Sequence, residues 1–348
     1  MQVALIHYRI AKRGGLETRL INYTQYFVEQ GHSVTIICAK NTGQVTFSPL
    51  VNIVKLNMGI VPKPLRRMYF NHKVGTFLKT KTFDFELSLG RTSYQKAVLG
   101  PSNHKGFLKA MNKSGRGIGD FAQNYLDQKL ADNCQIIFAA SQMMKNEFIE
   151  LYKADSDKIK IIYPPLNTQQ FGRVSNKKQM ELRHSYGVPL NVNVFVFVSA
   201  SHYRKGLDIL LSAFKMLENK PVLLLVAGYP KVETQLKNVR FVGFANKPQE
   251  LYQLADCCLH PARYEPFGQI VSESLACGKP VITSNMCGGK EILTPKTGKV
   301  ISSFNPNKWA TEIEQFKPED YSVPIDFVEQ KGLGLNNHMK KMLDTYFA

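Results

Sequence analysis

The chain has 348 residues and a formal net charge of +18, from 45 Lys and Arg against 27 Asp and Glu. This length predicts two domains, at roughly 150 residues for each. A composition with 44% hydrophobic and 21% charged residues is ordinary for a globular protein and excludes a disordered chain. No apolar run approaches the ~20 residues that a membrane-spanning helix needs.

The N-terminal half alternates short apolar runs with longer amphipathic stretches. Residues 3–6 form an apolar run that is too short, and lacks the preceding basic region, for a signal peptide, so we expect a buried first strand. Two glycines then open an amphipathic helix, and residues 63–67 (KPLRR) predict a basic loop. The other elements predicted in this half are strands at 33–38, 51–56, 85–89, 135–140 and 159–163, and helices at 122–134 and 142–152.

The C-terminal half repeats this alternation after Pro164 and Pro165. Its predicted elements are strands at 194–198, 222–227, 239–242, 257–259 and 280–283, and helices at 206–217, 248–255, 267–277 and 330–348. Short apolar strands alternating with helices are typical of parallel sheets covered on both faces. We therefore predict an α/β fold with doubly wound domains at 1–165 and 166–328, and a C-terminal helix at 329–348 that packs back on the first domain. Ligands of such sheets bind beyond the carboxyl ends of the strands, so we expect the site in a cleft between the domains.

The positive charge is concentrated in one part of the sequence. Residues 40–116 contain fourteen Lys and Arg against two acidic residues, a balance of 14 − 2 = +12. Such a local field favours a polyanionic partner, which would be nucleic acid, an anionic membrane face or a phosphorylated substrate.

Residues 260–284 (HPARYEPFGQIVSESLACGKPVITS) place two glutamates around a predicted helix start. Glu265 lies in the loop after a strand, and Glu273 lies eight positions later on the helix. The first turn of a helix has unpaired N–H groups and a positive dipole end, which suits the diphosphate of a nucleotide. Glu273 could then accept hydrogen bonds from ribose hydroxyls, and Glu265 could hold hydroxyls of a transferred sugar. The alternative is two solvated carboxylates that flank an ordinary helix start. The donor-binding candidates of this segment are Phe267, Gly268, Gln269 and Glu273.

Arg204 and Lys205 follow the predicted strand at 194–198, in a loop expected to lead into a helix. A guanidinium and an ammonium at this place can neutralise a pyrophosphate and stabilise it as a leaving group. We therefore take both residues, together with Glu265, as catalytic candidates. An isolated Arg-Lys pair would more often be a solvated pair.

The segment with Glu265 and Glu273 resembles the E-x7-E signature of family 4 of the retaining glycosyltransferases, which have the GT-B fold. The continuation SLACGKPVITS is similar to the same family, although Ser274 stands where alanine is usual. The resemblance covers nearly the whole chain and is nearest to the lipopolysaccharide core glucosyltransferases. It implies two Rossmann-like domains facing each other across a cleft, and it assigns the Arg-Lys-Gly segment to the donor diphosphate.

Gly14 and Gly15 follow the first strand and open a helix. Glycines at such a place let the backbone approach a phosphate or a sugar without a side-chain clash. The sequence lacks GxGxxG and GxxxxGK[ST], so neither a dinucleotide fingerprint nor a P-loop is supported. The family resemblance implies donor contact by both glycines, and a tight strand-to-helix turn is the alternative. Glu17 is a secondary candidate for acceptor contact.

His104 lies in the segment PSNHKGF, expected as a loop. Relatives of the family carry a histidine in a similar context, which implies that His104 contacts the transferred sugar or the acceptor. A neutral imidazole could also act as a proton partner, so His104 is the fourth catalytic candidate. Asn103 and Lys105 are secondary candidates, and a surface histidine without a role is the alternative.

Metal and redox signals are weak. Asp155 and Asp157 form a D-x-D that follows the end of a helix rather than an apolar strand, so we expect a surface turn. We predict no catalytic metal and no cofactor. The six cysteines lack CxxC spacing, and we expect them to be reduced and buried in a cytoplasmic protein.

We therefore predict a metal-independent hexosyltransferase, which the family resemblance implies to be retaining. It would transfer a hexose from a nucleotide-diphosphate sugar, with a UDP-sugar favoured, to a phosphorylated glycan or glycolipid acceptor in lipopolysaccharide core or other surface polysaccharide synthesis. We expect a peripheral protein on the anionic cytoplasmic face of the inner membrane. Nucleic acid is not expected as a partner, because the basic region lacks clustered aromatics and no nucleic-acid module is present. The alternatives left open are a non-catalytic basic protein that binds nucleic acid or membrane, a GT-B nucleotide-sugar epimerase, and a glycogen-type polymerase.

Overall fold

A seven-stranded parallel β-sheet organises the first half of the chain. The computed structural model describes residues 1–12 and 14–348, so Arg13 of the predicted glycine loop lies outside the described residues. Packing divides the described chain into two units, Met1–Tyr163 together with His338–Ala348, and Pro164–Asn337. Each unit has its own sheet, and both sheets are parallel, as predicted.

The sheet of the first unit places the first strand of the chain next to its central strand. Its strands and those of a small ribbon are β1 (Gln2–Ile6), β2 (Arg9–Ile10), β3 (Ser33–Cys38), β4 (Lys40–Asn41), β5 (Val51–Lys55), β6 (Phe85–Ser88), β7 (Ala97–Leu99), β8 (Ile136–Ala139) and β9 (Ile159–Ile161). The order is β5-β3-β1-β6-β7-β8-β9, while β2 pairs with β4. Because the order reverses between β1 and β6, the carboxyl ends of these two strands form a topological switch point, where ligands of such sheets bind.

Helices cover the first sheet. They are α1 (Gly15–Glu29), α2 (Arg66–Leu78), α3 (His104–Ala110), α4 (Ile118–Asn133) and α5 (Gln142–Tyr152). The buried residues of α1 are Leu20, Tyr23, Thr24 and Phe27, which share one face at the helical period. Phe27 packs against Phe85 of β6 with ring centroids 5.2 Å apart, which ties α1 to the centre of the sheet.

The second unit has a six-stranded parallel sheet in the order β12-β11-β10-β13-β14-β15. Its strands are β10 (Asn193–Val198), β11 (Val222–Ala227), β12 (Val239–Gly243), β13 (Cys257–His260), β14 (Val281–Ser284) and β15 (Gly298–Ile301). Its helices are α6 (Asn176–Ser185), α7 (His202–Lys205), α8 (Leu207–Met216), α9 (Pro248–Leu254), α10 (Gln269–Ala276), α11 (Pro306–Glu314) and α12 (Phe327–Gln330). The strand order reverses between β10 and β13, so the segments after these strands flank the switch point of this sheet.

The last helix, α13 (Leu335–Phe347), contributes its residues from His338 onward to the first unit. The Tyr346 ring lies 4.5 Å from the ring of Phe85, centroid to centroid. The backbone N–H of Glu86 donates to the Tyr346 hydroxyl at 3.0 Å. A sequence-distant segment therefore completes the core beside β6.

The prediction of a basic loop at residues 63–67 was wrong. Lys63–Leu65 is a 3-10 turn, and Arg66 begins α2. The buried face of α2 consists of Phe70, Asn71, Val74 and Gly75, so a polar residue and a glycine interrupt its apolar pattern. That interruption explains why periodicity gave no helix here.

All six cysteines are buried and none forms a disulfide, as predicted. Among the described residues, no helix combines the length and the apolar character needed to span a bilayer.

Candidate active site

Arg204 and Lys205 lie just beyond the carboxyl end of β10, but not in a loop as predicted. They end the single-turn helix α7, and Gly206 with φ +84° separates that turn from α8. A Cβ at Gly206 would lie 2.1 Å from the Pro261 carbonyl oxygen. Glycine is therefore required both by the left-handed conformation and by the close approach of the segments that follow β10 and β13.

Glu265 lies after β13 and faces both cations. Arg204 Nη1 donates to Glu265 Oε2 at 3.0 Å, and Lys205 Nζ lies 3.9 Å from the same oxygen. Arg204 Nη1 also donates to the carbonyl of Tyr264 at 2.7 Å. The structure therefore brings together the three catalytic candidates of the second unit, with two cations sharing one carboxylate.

Backbone bonds hold the segment of Glu265 in place. Its N–H donates to the Met286 carbonyl at 3.0 Å, and its carbonyl accepts from Gly288 N–H at 2.9 Å. Arg263, two residues earlier, forms a bidentate pair with Asp208 of α8 at 2.8 and 2.6 Å. These contacts join the segment of Glu265 to the segment after β14 and to α8, which helps to hold the carboxylate in position.

The helix that carries Glu273, α10, begins two residues later than predicted. Gln269 is the first residue of α10, and Gly268 precedes it with φ +86°. Phe267 is buried ahead of the helix rather than in its first turn. A Cβ at Gly268 would lie 3.0 Å from Glu265 Cγ and 3.4 Å from His260 Nε2, so space as well as conformation requires glycine. The Gln269 side chain donates to the Pro165 carbonyl at 3.4 Å.

Glu273 projects from α10 and accepts a hydrogen bond from the Tyr252 hydroxyl at 2.9 Å. Burial raises the pKa of Glu273, while the Tyr252 hydrogen bond and the charge of Lys205 oppose that rise. The field of Lys205 therefore reaches both glutamates of the motif.

His260 is a site residue to which sequence reasoning gave no role. It ends β13, is fully buried, and its Nε2 lies 3.9 Å from Glu265 Oε2. Burial, followed by the charges of Lys205 and Arg204, holds the pKa of His260 well below its usual range, so the ring is neutral. Its position at a strand end beside Glu265 was the available signal. Among the described residues, no group of three or more His, Cys, Asp or Glu side chains is arranged around a metal site.

The glycine candidates of the first unit lie at the start of α1. Gly14 has φ +121°, a backbone conformation that favours glycine, and a Cβ there would also displace the Glu17 carboxylate, which lies 2.1 Å from the Cβ position. Glu17 Oε1 accepts from Arg9 Nε at 3.1 Å. Burial alone would raise the pKa of Glu17, but the Arg9 hydrogen bond, a backbone hydrogen bond and the charges of His7 and Arg9 together lower it.

Gly15 and Glu17 line a cavity of about 470 Å³ at the switch point of the first sheet. Other residues of its lining are His7, Arg9, Lys40, Arg67 and Arg91. Small-molecule sites have volumes of this order. Sequence reasoning did not anticipate this group, because its members come from five separate segments that only the fold brings together.

His104 does not lie in a loop; it is the first residue of α3, and Asn103 caps that helix by accepting from Gly106 N–H at 3.0 Å. His104 Nε2 lies 2.8 Å from Asp120 Oδ1. This contact holds the pKa of Asp120 below its usual range. Lys105 Nζ donates to the Leu151 carbonyl at 2.8 Å. The described lining of the 470 Å³ cavity includes none of the candidates at 103–105.

The D-x-D pair forms a turn at the surface. The Asp155 side chain accepts from Asp157 N–H at 2.9 Å and caps the 3-10 turn Ser156–Lys158. This agrees with the prediction of a surface turn.

Two curated relatives resemble the chain in sequence. A "Probable transglycosylase" of Burkholderia thailandensis is 26% identical over 289 residues, which are 83% of this chain and 79% of that protein. A D-inositol 3-phosphate glycosyltransferase of Corynebacterium diphtheriae is 29% identical over 239 residues, which are 61% of this chain and 56% of the relative. The match thus spans little more than half the length of the second relative.

Two solved structures share the fold. WaaG, a glycosyltransferase involved in lipopolysaccharide biosynthesis, superposes with a TM-score of 0.73 at 18% identity, covering 97% of this chain and 93% of WaaG. HepE from Anabaena in complex with UDP and glucose gives a TM-score of 0.73 at 17% identity and covers 100% of both chains.

Family sequence models match both units. "Glycosyltransferase Family 4" matches residues 13–170, and "Glycosyl transferases group 1" matches residues 178–324. The chain therefore belongs to the GT-B glycosyltransferases that join a family 4 domain to a group 1 domain.

Proposed function

We propose that this glycosyltransferase moves a hexose, with retention of anomeric configuration, from a nucleotide-diphosphate sugar to a glycan or glycolipid acceptor. The observation that carries the proposal is the cluster of Arg204, Lys205 and Glu265 at the switch point of the second sheet. Two cations against one carboxylate leave positive charge for a diphosphate. A UDP-sugar is the favoured donor, which the fold shared with the UDP complex of HepE supports.

Each donor group has an assigned partner in the proposal. The diphosphate lies against Arg204, Lys205 and the start of α10. Glu273 binds the ribose hydroxyls, because its carboxylate is sheltered and already oriented by Tyr252. Glu265 holds hydroxyls of the transferred sugar. His104, whose ring is oriented by Asp120, is assigned to the transferred sugar or the acceptor.

The proposed reaction breaks the bond between the anomeric carbon and the diphosphate oxygen. A bond forms on the same face from that carbon to the acceptor hydroxyl oxygen, and the hydroxyl proton passes to the leaving diphosphate oxygen. Arg204 and Lys205 stabilise the negative charge that develops on this oxygen. Because these two side chains neutralise the diphosphate, the proposal needs no metal ion.

The acceptor is proposed to be a phosphorylated glycan or glycolipid of lipopolysaccharide core or another surface polysaccharide. The charge of +12 in residues 40–116 supports this assignment, since it would attract such an acceptor and an anionic membrane surface. The protein would then work on the cytoplasmic face of the inner membrane.

Donor binding and turnover test the proposal together. Purified protein is screened by thermal shift against UDP-, GDP- and ADP-hexoses, since a bound donor raises the unfolding midpoint by mass action. The protein is then incubated with the stabilising donor, with and without EDTA, and released nucleotide is measured. We expect stabilisation by one nucleotide class, and nucleotide release that EDTA leaves unchanged.

The Arg204→Ala variant tests the assigned donor site in both assays. Stabilisation that persists in this variant would place the donor elsewhere. No stabilisation by any nucleotide sugar, together with no nucleotide release, would overturn the proposed function.

A further inference from the structure

The cavity at the carboxyl ends of β1 and β6 carries an excess of positive charge. Arg9, Lys40, Arg67 and Arg91 line it, and Glu17 supplies the one carboxylate among the lining residues that the structure describes. That carboxylate is engaged by Arg9 at 3.1 Å. The cavity therefore favours an anionic ligand, and the field acts within a concave site rather than on open surface.

Arg67 and Lys40 are the cations of the described lining that form no ion pair with a carboxylate, so both are left for a ligand. Arg91 is held by Asp127, with Nε 2.7 Å from Oδ1. Among residues 1–12 and 14–348, no carboxylate lies within 4 Å of the Arg67 guanidinium, which instead lies 5.4 Å over the Tyr8 ring. Burial, followed by the charges of Arg91 and other neighbours, lowers the pKa of Arg67. A bound anion would relieve this repulsion between like charges.

His7 adds a hydrogen-bond acceptor of fixed orientation. It follows β1 directly, and its Nδ1 lies 3.0 Å from the Leu89 carbonyl oxygen. A carbonyl oxygen only accepts, so Nδ1 carries the hydrogen of the neutral ring and Nε2 is left as an acceptor. Burial is the main cause that lowers the pKa of His7, which keeps the ring neutral. Nε2 lies 4.0 Å from Oε1 of Glu17, and both residues line the cavity.

We propose that this cavity binds a phosphomonoester that stands beside free hydroxyl groups, as in a phosphorylated sugar or polyol. Arg67 binds the phosphate, with Lys40 contributing charge, and His7 Nε2 accepts a hydrogen bond from a neighbouring hydroxyl. A guanidinium matches the geometry of a phosphate, and a neutral imidazole nitrogen matches a hydroxyl donor. The inference rests on the proposed function and deepens it, because it names the chemical class of the acceptor and the side chains that select it.

Binding measurements on the whole chain test the inference without turnover. Isothermal titration calorimetry measures the affinity of the wild type for inorganic phosphate, glucose and glucose 6-phosphate. The same affinities are measured for the variants Arg67→Gln, Arg67→Lys and Lys81→Gln. Lys81 is exposed and lies in the same basic region, so its variant matches the charge change outside the cavity. Flotation with phosphatidylcholine vesicles, with and without phosphatidylinositol 4-phosphate, supplies a membrane-bound phosphomonoester.

We expect a phosphorylated ligand to bind the wild type and Lys81→Gln with the same affinity. Arg67→Gln should lower this affinity at least about tenfold, and Arg67→Lys should lower it less. Binding of glucose 6-phosphate identifies a soluble acceptor, and binding only to the doped vesicles identifies a lipid-linked one. Equal affinity for glucose and glucose 6-phosphate, no phosphate-dependent binding in either arm, or equal losses in Arg67→Gln and Lys81→Gln would overturn the inference.

UDP titration separates this inference from the proposed function. We expect Arg67→Gln to bind UDP as the wild type does, and Arg204→Ala to bind it weakly. If Arg67→Gln loses UDP affinity as well, the cavity belongs to the donor and the inference is wrong. If the wild type does not bind UDP or any other donor nucleotide, the proposed function is wrong, whatever the result for Arg67→Gln.

Discussion

The guanidinium of Arg204 joins the segments that follow β10 and β13, because its Nη1 donates both to the Tyr264 carbonyl and to Glu265 Oε2. Lys205 approaches the same carboxylate oxygen at 3.9 Å. One carboxylate thus orients two cations but neutralises only one of them. This residual charge at a preorganised site is what a departing diphosphate requires.

Removing either cation should slow turnover. We expect Arg204→Ala and Lys205→Ala each to lower kcat at least roughly a hundredfold, since one preorganised donor at a developing charge is worth about 2.7–4 kcal/mol. Lys220→Ala, on an exposed ion pair with Glu314, is the matched control and should retain the wild-type rate. Steady-state nucleotide release measures all three, and a near-wild-type kcat for Arg204→Ala or Lys205→Ala would contradict the assignment.

Glu273→Gln should act on donor binding rather than on the chemical step. The amide retains an oxygen that can accept from Tyr252 but loses the charge that strengthens hydrogen bonds to ribose hydroxyls. We expect the donor KM to rise about tenfold, with a smaller change in kcat. Glu250→Gln, at a partly exposed pair with Lys247, is the control. An unchanged donor KM would show that Glu273 does not bind the ribose.

Gly206→Ala should destabilise the second unit because of crowding at the Pro261 carbonyl, in addition to backbone strain. A Cβ at Gly206 would lie 2.1 Å from that oxygen, whereas Gly332, with φ +63°, has open space around its Cβ position. Gly332→Ala therefore reports the cost of the left-handed conformation alone, about 1–2 kcal/mol. Urea unfolding of both variants measures the difference. Equal losses of unfolding free energy would mean that the segments after β10 and β13 do not need this close approach.

The sequence predicted both parallel sheets and placed Arg204, Lys205 and Glu265 at strand ends, because continuous apolar strands and a long motif are local features. Details set by tertiary contacts were predicted less well. The start of α10 was misplaced because Gly268 takes a left-handed conformation, so that the helix begins only at Gln269.

The cavity of the first unit could not be predicted from the sequence. His7 is the residue after a strand, and Arg67 lies in a helix whose apolar pattern is interrupted. Nothing in their spacing relates them, since the sheet order alone brings β1 beside β6 and the cavity lining together. The excess of positive charge in residues 40–116 was visible, but its concave arrangement was not.

Vesicle binding should depend on the charge of the first unit. We expect the protein to bind vesicles with anionic lipid, to bind less as salt increases, and to bind neutral vesicles weakly, because polybasic attraction is worth about 1 kcal/mol for each basic residue near the surface. A double Lys63→Gln, Lys79→Gln variant should bind less than a double Lys231→Gln, Lys237→Gln variant, in which exposed lysines of the second unit are changed. Flotation measures the bound fraction, and equal binding to neutral and anionic vesicles would contradict the proposed membrane partner.

His338 should make the stability of the protein depend on pH. Its Nδ1 lies 2.8 Å from the Tyr163 carbonyl oxygen, and its Nε2 contacts the Tyr23 hydroxyl. Burial is the main cause that lowers the pKa of His338 from 6.5 to about 3 in the folded protein. Below pH 6.5 the unfolded chain takes up a proton that the folded chain does not bind, so the free energy of unfolding falls as the pH is lowered from 6.5 towards about 3.

The slope from this one group approaches about 1.4 kcal/mol for each pH unit. Urea unfolding measured across this pH range should show this slope in the wild type and in His72→Gln, an exposed control on α2. In His338→Gln the unfolding free energy should be lower at neutral pH and should fall less steeply as acid is added. Because other buried histidines contribute to the total, the difference in slope between wild type and variant is the quantity that decides. Parallel slopes in the two proteins would mean that His338 does not remain neutral in the folded state.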